Sequence, residues 1–356
     1  MEILERDWFS EQDILDLLNL RRQENIQHLF DKSLALTREL IGNKVFFRGI
    51  IEFSNRCEKN CFYCGIRREN TTISRYLLTG EEILAGALWA EENRYGSLVL
   101  QSGECTSPEF VLFLEEVIRR IKKTTSLGIT LSVGEQSRET YQRFFDAGAH
   151  RYLLRIETSN PELYRRIHPR DHSFEKRLEC LRTLKEIGMQ VGTGVMIGLP
   201  FQTVPDLAKD ILFFQREDID MIGMGPYIIH TRTPLATHET IESWNAGKKG
   251  ILDQTLKMIA VARLVLRDVN IASTTALQAI HPRGREMGLK AGANVIMPII
   301  TPGRYRESYL LYEGKPCIDD SAEVCRDCLS ERIHSTGREI AWDEWGDPLH
   351  FQSRQR

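Results

Sequence analysis

From residue 45 onward the chain alternates short apolar runs with amphipathic stretches, and it does so eight times. The apolar runs, read as strands, are 45–52, 97–101, 127–132, 150–155, 190–197, 219–224, 270–275 and 294–297. The stretches between them, read as helices, are 79–94, 108–123, 137–147, 173–187, 204–215, 249–265 and 282–290, with a last segment after 304. Strands separated by helical crossovers pair in parallel, and eight of them suffice to close a barrel. The expected fold is α/β, a (β/α)8 TIM-type barrel over 45–303. An N-terminal helical cap would cover 1–44, and a C-terminal extension over 304–356 would pack on the same domain. In the cap, Ser10 precedes an acidic first turn, and Glu24 to Leu40 is amphipathic. A hydrophobic content of 42% over 356 residues is ample for one large core.

The first strand runs into Cys57-Glu-Lys-Asn-Cys61-Phe-Tyr-Cys64, at the strand end where barrel proteins place their chemistry. Three thiolates at C-x3-C-x2-C spacing can hold three irons of a cubane cluster, leaving the fourth iron open. The competing reading is zinc, which takes four ligands in paired spacings. The other candidate ligands, His28 and Cys105, are not local to the triplet. A second triplet, Cys317-x7-Cys325-x2-Cys328, follows the barrel. It could seat an accessory [2Fe–2S] or [4Fe–4S] cluster, hold zinc, or be unused thiols. Six of eight cysteines thus fall in two triplets, which suits metal in a reducing cytoplasm better than a disulfide scaffold. Cys105 and Cys180 read as ordinary thiols. His168 and His172 are four apart, but Pro169 argues against a helix presenting both to one metal. Like His230 and His281, they read as structural or substrate-facing.

The other strand ends carry polar groups. After strand two comes Gln101-Ser102-Gly103-Glu104, a glycine that admits a close ligand and a carboxylate that can take an ammonium. Strand three ends in Gly134-Glu135. Arg155 and Glu157 alternate past strand four as a binding pair or an interior ion pair. Gly198-Leu-Pro200, Gly223-Met-Gly225 and Thr274-Thr275 end strands five to seven.

Charge excludes some classes. Forty-seven basic against fifty acidic residues give −3, with no basic face for nucleic acid. No apolar run reaches the roughly 18 residues of a membrane span. The acidic start Met1-Glu-Ile-Leu-Glu-Arg-Asp7 lacks signal-peptide order, so a cytoplasmic location is expected.

The cysteine spacing, with Tyr63 before the last cysteine, resembles the signature of radical S-adenosylmethionine (SAM) enzymes. Ser102-Gly103-Glu104 looks like a variant of their Gly-Gly-Glu element. More narrowly, the chain resembles the HydE family of [FeFe]-hydrogenase maturases, relatives of biotin synthase and methylornithine synthase. The matches are Arg48-Gly-Ile-Ile-Glu-Phe-Ser-Asn55, Leu100-Gln-Ser-Gly-Glu104, Arg151-Tyr-Leu-Leu-Arg155 and Thr203 after Gly198-Leu-Pro200. They continue with Gly225-Pro226, Thr274-Thr275-Ala276, Gly292-Ala-Asn-Val-Ile-Met-Pro298 and the second cysteine triplet, and the resemblance as a whole runs from about residue 10 to 335.

The resemblance implies a [4Fe–4S] cluster on Cys57, Cys61 and Cys64, with SAM at the barrel top. Tyr63, Gln101, Ser102, Gly103, Glu104, Arg155, Glu157, Arg177 and Met196 would hold SAM. Arg48, Gln101, Thr274, Thr275, Tyr309 and Tyr312 would line the substrate site. The implied reaction is a radical step on a cysteine-bound iron carbonyl–cyanide precursor, between the maturases HydG and HydF. The electron would come from a flavodoxin or ferredoxin. One position departs: the family pattern has His between the arginine and glutamate of strand four, and here it is Ile156. If that position touches substrate, a different small amino-acid or thioether substrate follows, with mutase or C–S chemistry. A non-catalytic iron–sulfur carrier is the remaining alternative.

Overall fold

The structure is a computed structural model that describes residues 2–354. Eight parallel strands form the barrel: β1 (Lys44–Ser54), β2 (Ser97–Ser102), β3 (Gly128–Ser132), β4 (Arg151–Leu153), β5 (Gln190–Thr193), β6 (Met221–Ile222), β7 (Asn270–Ile271) and β8 (Val295–Ile296). Each pairs with the next, and β8 pairs with β1 through Phe46↔Val295. The ring closes between β7 and β8: Asn294 N–H donates to Ile271 O at 2.8 Å and Ser273 N–H to Val295 O at 2.9 Å.

All eight strands lie where the apolar runs placed them, most of them shorter. The run 190–197 breaks into β5 and a separate piece, Met196–Ile197, which pairs with Gly225–Pro226 above the ring. The run 270–275 stops at Ile271, because Thr274 caps a short helix, Thr275–Ile280.

Most outer helices begin at a serine or threonine whose side chain accepts from the first-turn backbone. Thr79 and Thr203 do so as full capping boxes with Glu82 and Asp206. Ser10 caps the first α-helix, Glu11–Leu18, in the same way with Asp13. One helix exceeds its expected start: His238–Leu266 begins at the Thr237 cap. Gly247 and Gly250 weaken the local helix signal there but face open space and are tolerated. The eighth crossover helix is Ala322–His334.

The chain then returns to the barrel's N-terminal end. Glu339–Ile340 pairs with the start of β1, and Gly346 and Asp347 cross beneath the ring. Gly346 O accepts from Arg48 Nη2 at 3.0 Å and from Asn270 Nδ2 at 2.8 Å. Asp347 takes Arg151 and Gln190. The bottom is plugged, so the open end is the one that carries the Cys57–Cys64 loop. No helix among the described residues is long and apolar enough to cross a membrane.

Candidate active site

The open end encloses a cavity of about 350 Å³. Cys57, Cys61 and Cys64 face it together with Tyr63. Their loop is pressed against the end of β2: Glu58 N–H donates to Glu104 O at 2.8 Å, and Gly103 N–H to Ser54 O at 3.0 Å. A Cβ on Gly103 would lie 2.2 Å from Arg56 O and 2.7 Å from Cys57 Cβ, so only glycine allows this approach.

Burial pushes the Cys61 thiol up to about 12, and raises Cys57 and Cys64 as well. These thiols stay protonated until a metal displaces the proton. All three thiols line the one cavity from a single loop, a donor set that fits three corners of a cubane cluster.

Around the thiols stands a charged network. Glu104 lies 3.2 Å from Lys59 Nζ and 4.0 Å from Arg177 Nη2. Glu135 receives Arg177 Nε at 2.6 Å and Lys59 at 3.0 Å. Glu135 N–H donates to Glu104 Oε2 at 2.9 Å. Burial raises the Glu104 carboxyl, with Arg177 and Lys59 opposing. Burial acts the same way on Glu135, but Arg177 and Lys59 outweigh it and hold that carboxyl low.

Arg155 pairs with Glu157 at 2.8 Å and donates to Gly223 O at 2.6 Å. Glu157 sits at φ +67°, a left-handed conformation costly for a non-glycine residue. Backbone bonds to Gly194 O and from Met196 N–H hold it there.

Every expected SAM residue lines this one cavity: Tyr63, Gln101, Ser102, Gly103, Glu104, Arg155, Glu157, Arg177 and Met196. So do Thr274, Thr275, Tyr309 and Tyr312 of the expected substrate set. Among the described residues, Thr274 Oγ1 and Tyr227 Oη are buried without a partner, which leaves polar atoms in the lining unused.

Arg48 is elsewhere. It points to the plugged end, bonded to Gly346 O and Met221 Sδ, and does not line the cavity. The cause is its position early in an eleven-residue strand whose other end carries the site. Ile156 is fully buried in the apolar core and is absent from the cavity wall. The second triplet does not converge: Cys317 and Cys325 touch, while Cys328 is exposed and accepts from Arg332 Nε at 3.4 Å.

Sequence reasoning missed Lys315 and Glu52, a buried ion pair in the wall, and Lys59 between the two glutamates. Lys59 could have been suspected from its place inside the cysteine loop. Lys315 sits in an irregular segment with no spacing signal.

Residues 51–214 match the radical SAM superfamily. Across 97% of its length the chain is 44% identical to the [FeFe] hydrogenase maturase subunit HydE of Thermotoga maritima, covering 96% of that protein. The chain belongs to the HydE family of radical SAM enzymes. It is 26% identical to 3-methylornithine synthase of Methanosarcina acetivorans over 96% of this chain and 93% of that one. Among solved structures, methylornithine synthase (PylB) superposes with a TM-score of 0.81 at 23% identity, covering 96% of this chain and 97% of that one. The maturase HydG from Carboxydothermus hydrogenoformans gives 0.80 at 21%, covering 96% and 78%. These two structures attest the fold. A [4Fe–4S] cluster and SAM are the cofactors this family implies, and the three-thiol loop fits the first of them.

Proposed function

We propose that this HydE-family enzyme acts in assembling the [FeFe]-hydrogenase active site, on a cysteine-bound iron carbonyl–cyanide precursor. The carrying observation is that Cys57, Cys61 and Cys64 share one closed-bottom cavity with a paired acid–base network and two unpartnered hydroxyls. When bound, the cluster supplies one electron that splits the SAM sulfonium into methionine and a 5'-deoxyadenosyl radical.

The chain's own residues bind and orient. Glu104 takes the SAM ammonium beside Lys59, Arg155 and Arg177 take its carboxylate, and Glu157 holds the ribose. Met196 and Tyr63 pack the adenosyl group. Thr274, Thr275, Tyr309, Tyr312 and Gln101 present donors to an anionic or metal-bound substrate. The enclosed barrel keeps water from a carbon radical. HydG would act before this step and HydF after it, in the cytoplasm, with a flavodoxin or ferredoxin as electron donor. Cys317, Cys325 and Cys328 would hold an accessory cluster once Cys328 turns inward.

The alternative substrate class loses its main support, because Ile156 does not reach the cavity. The deciding experiment is anaerobic hydrogenase maturation with this chain as the sole HydE component, reading hydrogen evolution. Activity that disappears in Cys57→Ala, Cys61→Ala and Cys64→Ala is the expected result. A protein that cleaves SAM yet matures no hydrogenase would overturn the substrate assignment and leave the radical chemistry standing.

A further inference from the structure

Two histidines from segment 168–172 lie against the cysteine loop, and the site as described gives them no task. Both are buried, at 2% and 5% exposure. Their rings sit 5.5 Å apart, although Pro169 keeps them off a common helix. Instead, His172 N–H donates to Pro169 O at 3.0 Å, and this turn folds the second ring back beside the first.

The partners of each ring fix its tautomer. His168 Nδ1 lies 3.0 Å from Tyr164 O, which can only accept, so Nδ1 carries the proton. Its Nε2 then accepts from Tyr63 Oη, 3.1 Å away. For His172, the Asn60 backbone N–H donates to Nε2 at 3.4 Å, so that nitrogen is the acceptor and the single ring proton is on Nδ1. Nδ1 lies 3.8 Å from Cys61 Sγ. The donor atoms of Cys61, His168 and His172 all lie within 4.8 Å of one another, the grouping a metal ion would need. All four ring nitrogens already have hydrogen-bond partners, however, so neither ring offers a free lone pair to a metal.

We propose that His172 is a positioning residue for the iron–sulfur cluster: its Nδ1–H donates to the Cys61 sulfur and raises the cluster's reduction potential, with Asn60 N–H holding the ring in that tautomer. Reduction adds one electron to the cluster and increases the negative charge on its thiolate sulfurs. A fixed N–H dipole aimed at one sulfur stabilises that reduced state more than the oxidised one, and hydrogen bonds to sulfur are among the levers that set such potentials. No bond breaks, and the proton stays on Nδ1.

The inference rests on a cluster at Cys57, Cys61 and Cys64. The test therefore begins with the iron content of the full-length, anaerobically reconstituted protein. Wild type, His172→Leu and His172→Gln are then titrated with the reduced cluster read by EPR. At a fixed solution potential, His172→Leu should lower the reduced-to-oxidised ratio about tenfold, or about 59 mV for one electron. His172→Gln, which keeps an N–H donor, should recover most of it. Equal potentials at full iron content overturn the proposal alone. A wild-type protein that takes up no iron overturns the cluster assignment as well. If His172→Leu assembles no cluster, wild type carrying 15N-histidine decides. Pulsed EPR of the reduced cluster then shows a histidine 15N coupling if Nδ1–H meets the sulfur, and its absence overturns the proposal.

Discussion

The Lys315 ammonium lies 2.6 and 2.7 Å from the two carboxylate oxygens of Glu52, with both side chains almost fully buried. It also donates to Tyr309 O at 3.1 Å. The pair ties the irregular segment after β8 to β1 and sets Tyr309 and Tyr312 over the cavity. Lys315→Met strands a buried carboxylate and should cost about 3–5 kcal/mol in urea unfolding. Adding Glu52→Gln should recover most of that loss. A single variant as stable as wild type would show that Glu52 finds another partner.

Gly103→Ala tests how tightly the cysteine loop is seated. The new Cβ meets backbone at 2.2 Å, so Arg56 and Cys57 must move. Overpacking of this kind costs about 1–3 kcal/mol. Iron uptake on reconstitution should fall severalfold while far-ultraviolet circular dichroism stays that of the barrel. Full iron loading would mean that the loop yields without disturbing its thiols.

Ile156→His puts in the residue that the resemblance leads one to expect between Arg155 and Glu157. The side chain is wholly inside the apolar core, where an unpartnered imidazole costs about 1–3 kcal/mol. Tm should drop by a few degrees, with SAM cleavage per folded molecule unchanged. An unchanged Tm with an altered substrate KM would place this side chain in the cavity after all.

The C-terminal helix, Leu349–Arg354, is held by a titrating contact. His350 Nδ1 lies 3.1 Å from Asp268 and Nε2 2.6 Å from Asp218. The Asp268 hydrogen bond raises the His350 pKa, burial opposes it, and Asp218 adds to the rise. A histidine whose folded value lies above its unfolded value of about 6.5 contributes fully below that pH. The contribution is lost as pH rises through the folded value. Hydrogen exchange over 349–354 should therefore quicken, beyond the intrinsic rate, as pH rises above about 6.5. His350→Gln should remove that extra dependence.

Much of this architecture is local information. The apolar runs located all eight strands, because each strand needs only its own few residues to declare itself. Ser10 was legible as a cap from the sequence and the amphipathic stretches located most other helices, whereas Gly247 and Gly250 masked the start of His238–Leu266. Spacing placed three thiols on one loop, and glycine and acid at the end of β2 named Gly103 and Glu104. The resemblance, not the spacing, put Arg48 in the substrate site, and the structure places it instead at the plugged end, early in an eleven-residue strand whose other end carries the cavity.

By itself the sequence determined the barrel class, the cysteine loop and the order in which polar residues follow the strands. These depend on periodicity and on separations of a few residues. Only the tertiary structure decided which of those residues meet. His172 reaches Cys61 across 111 residues and Lys315 reaches Glu52 across 263. Ring closure and the return of the C-terminal segment set such contacts, because they depend on how strands tilt and helices pack around the whole circuit. No local stretch of chain carries that information.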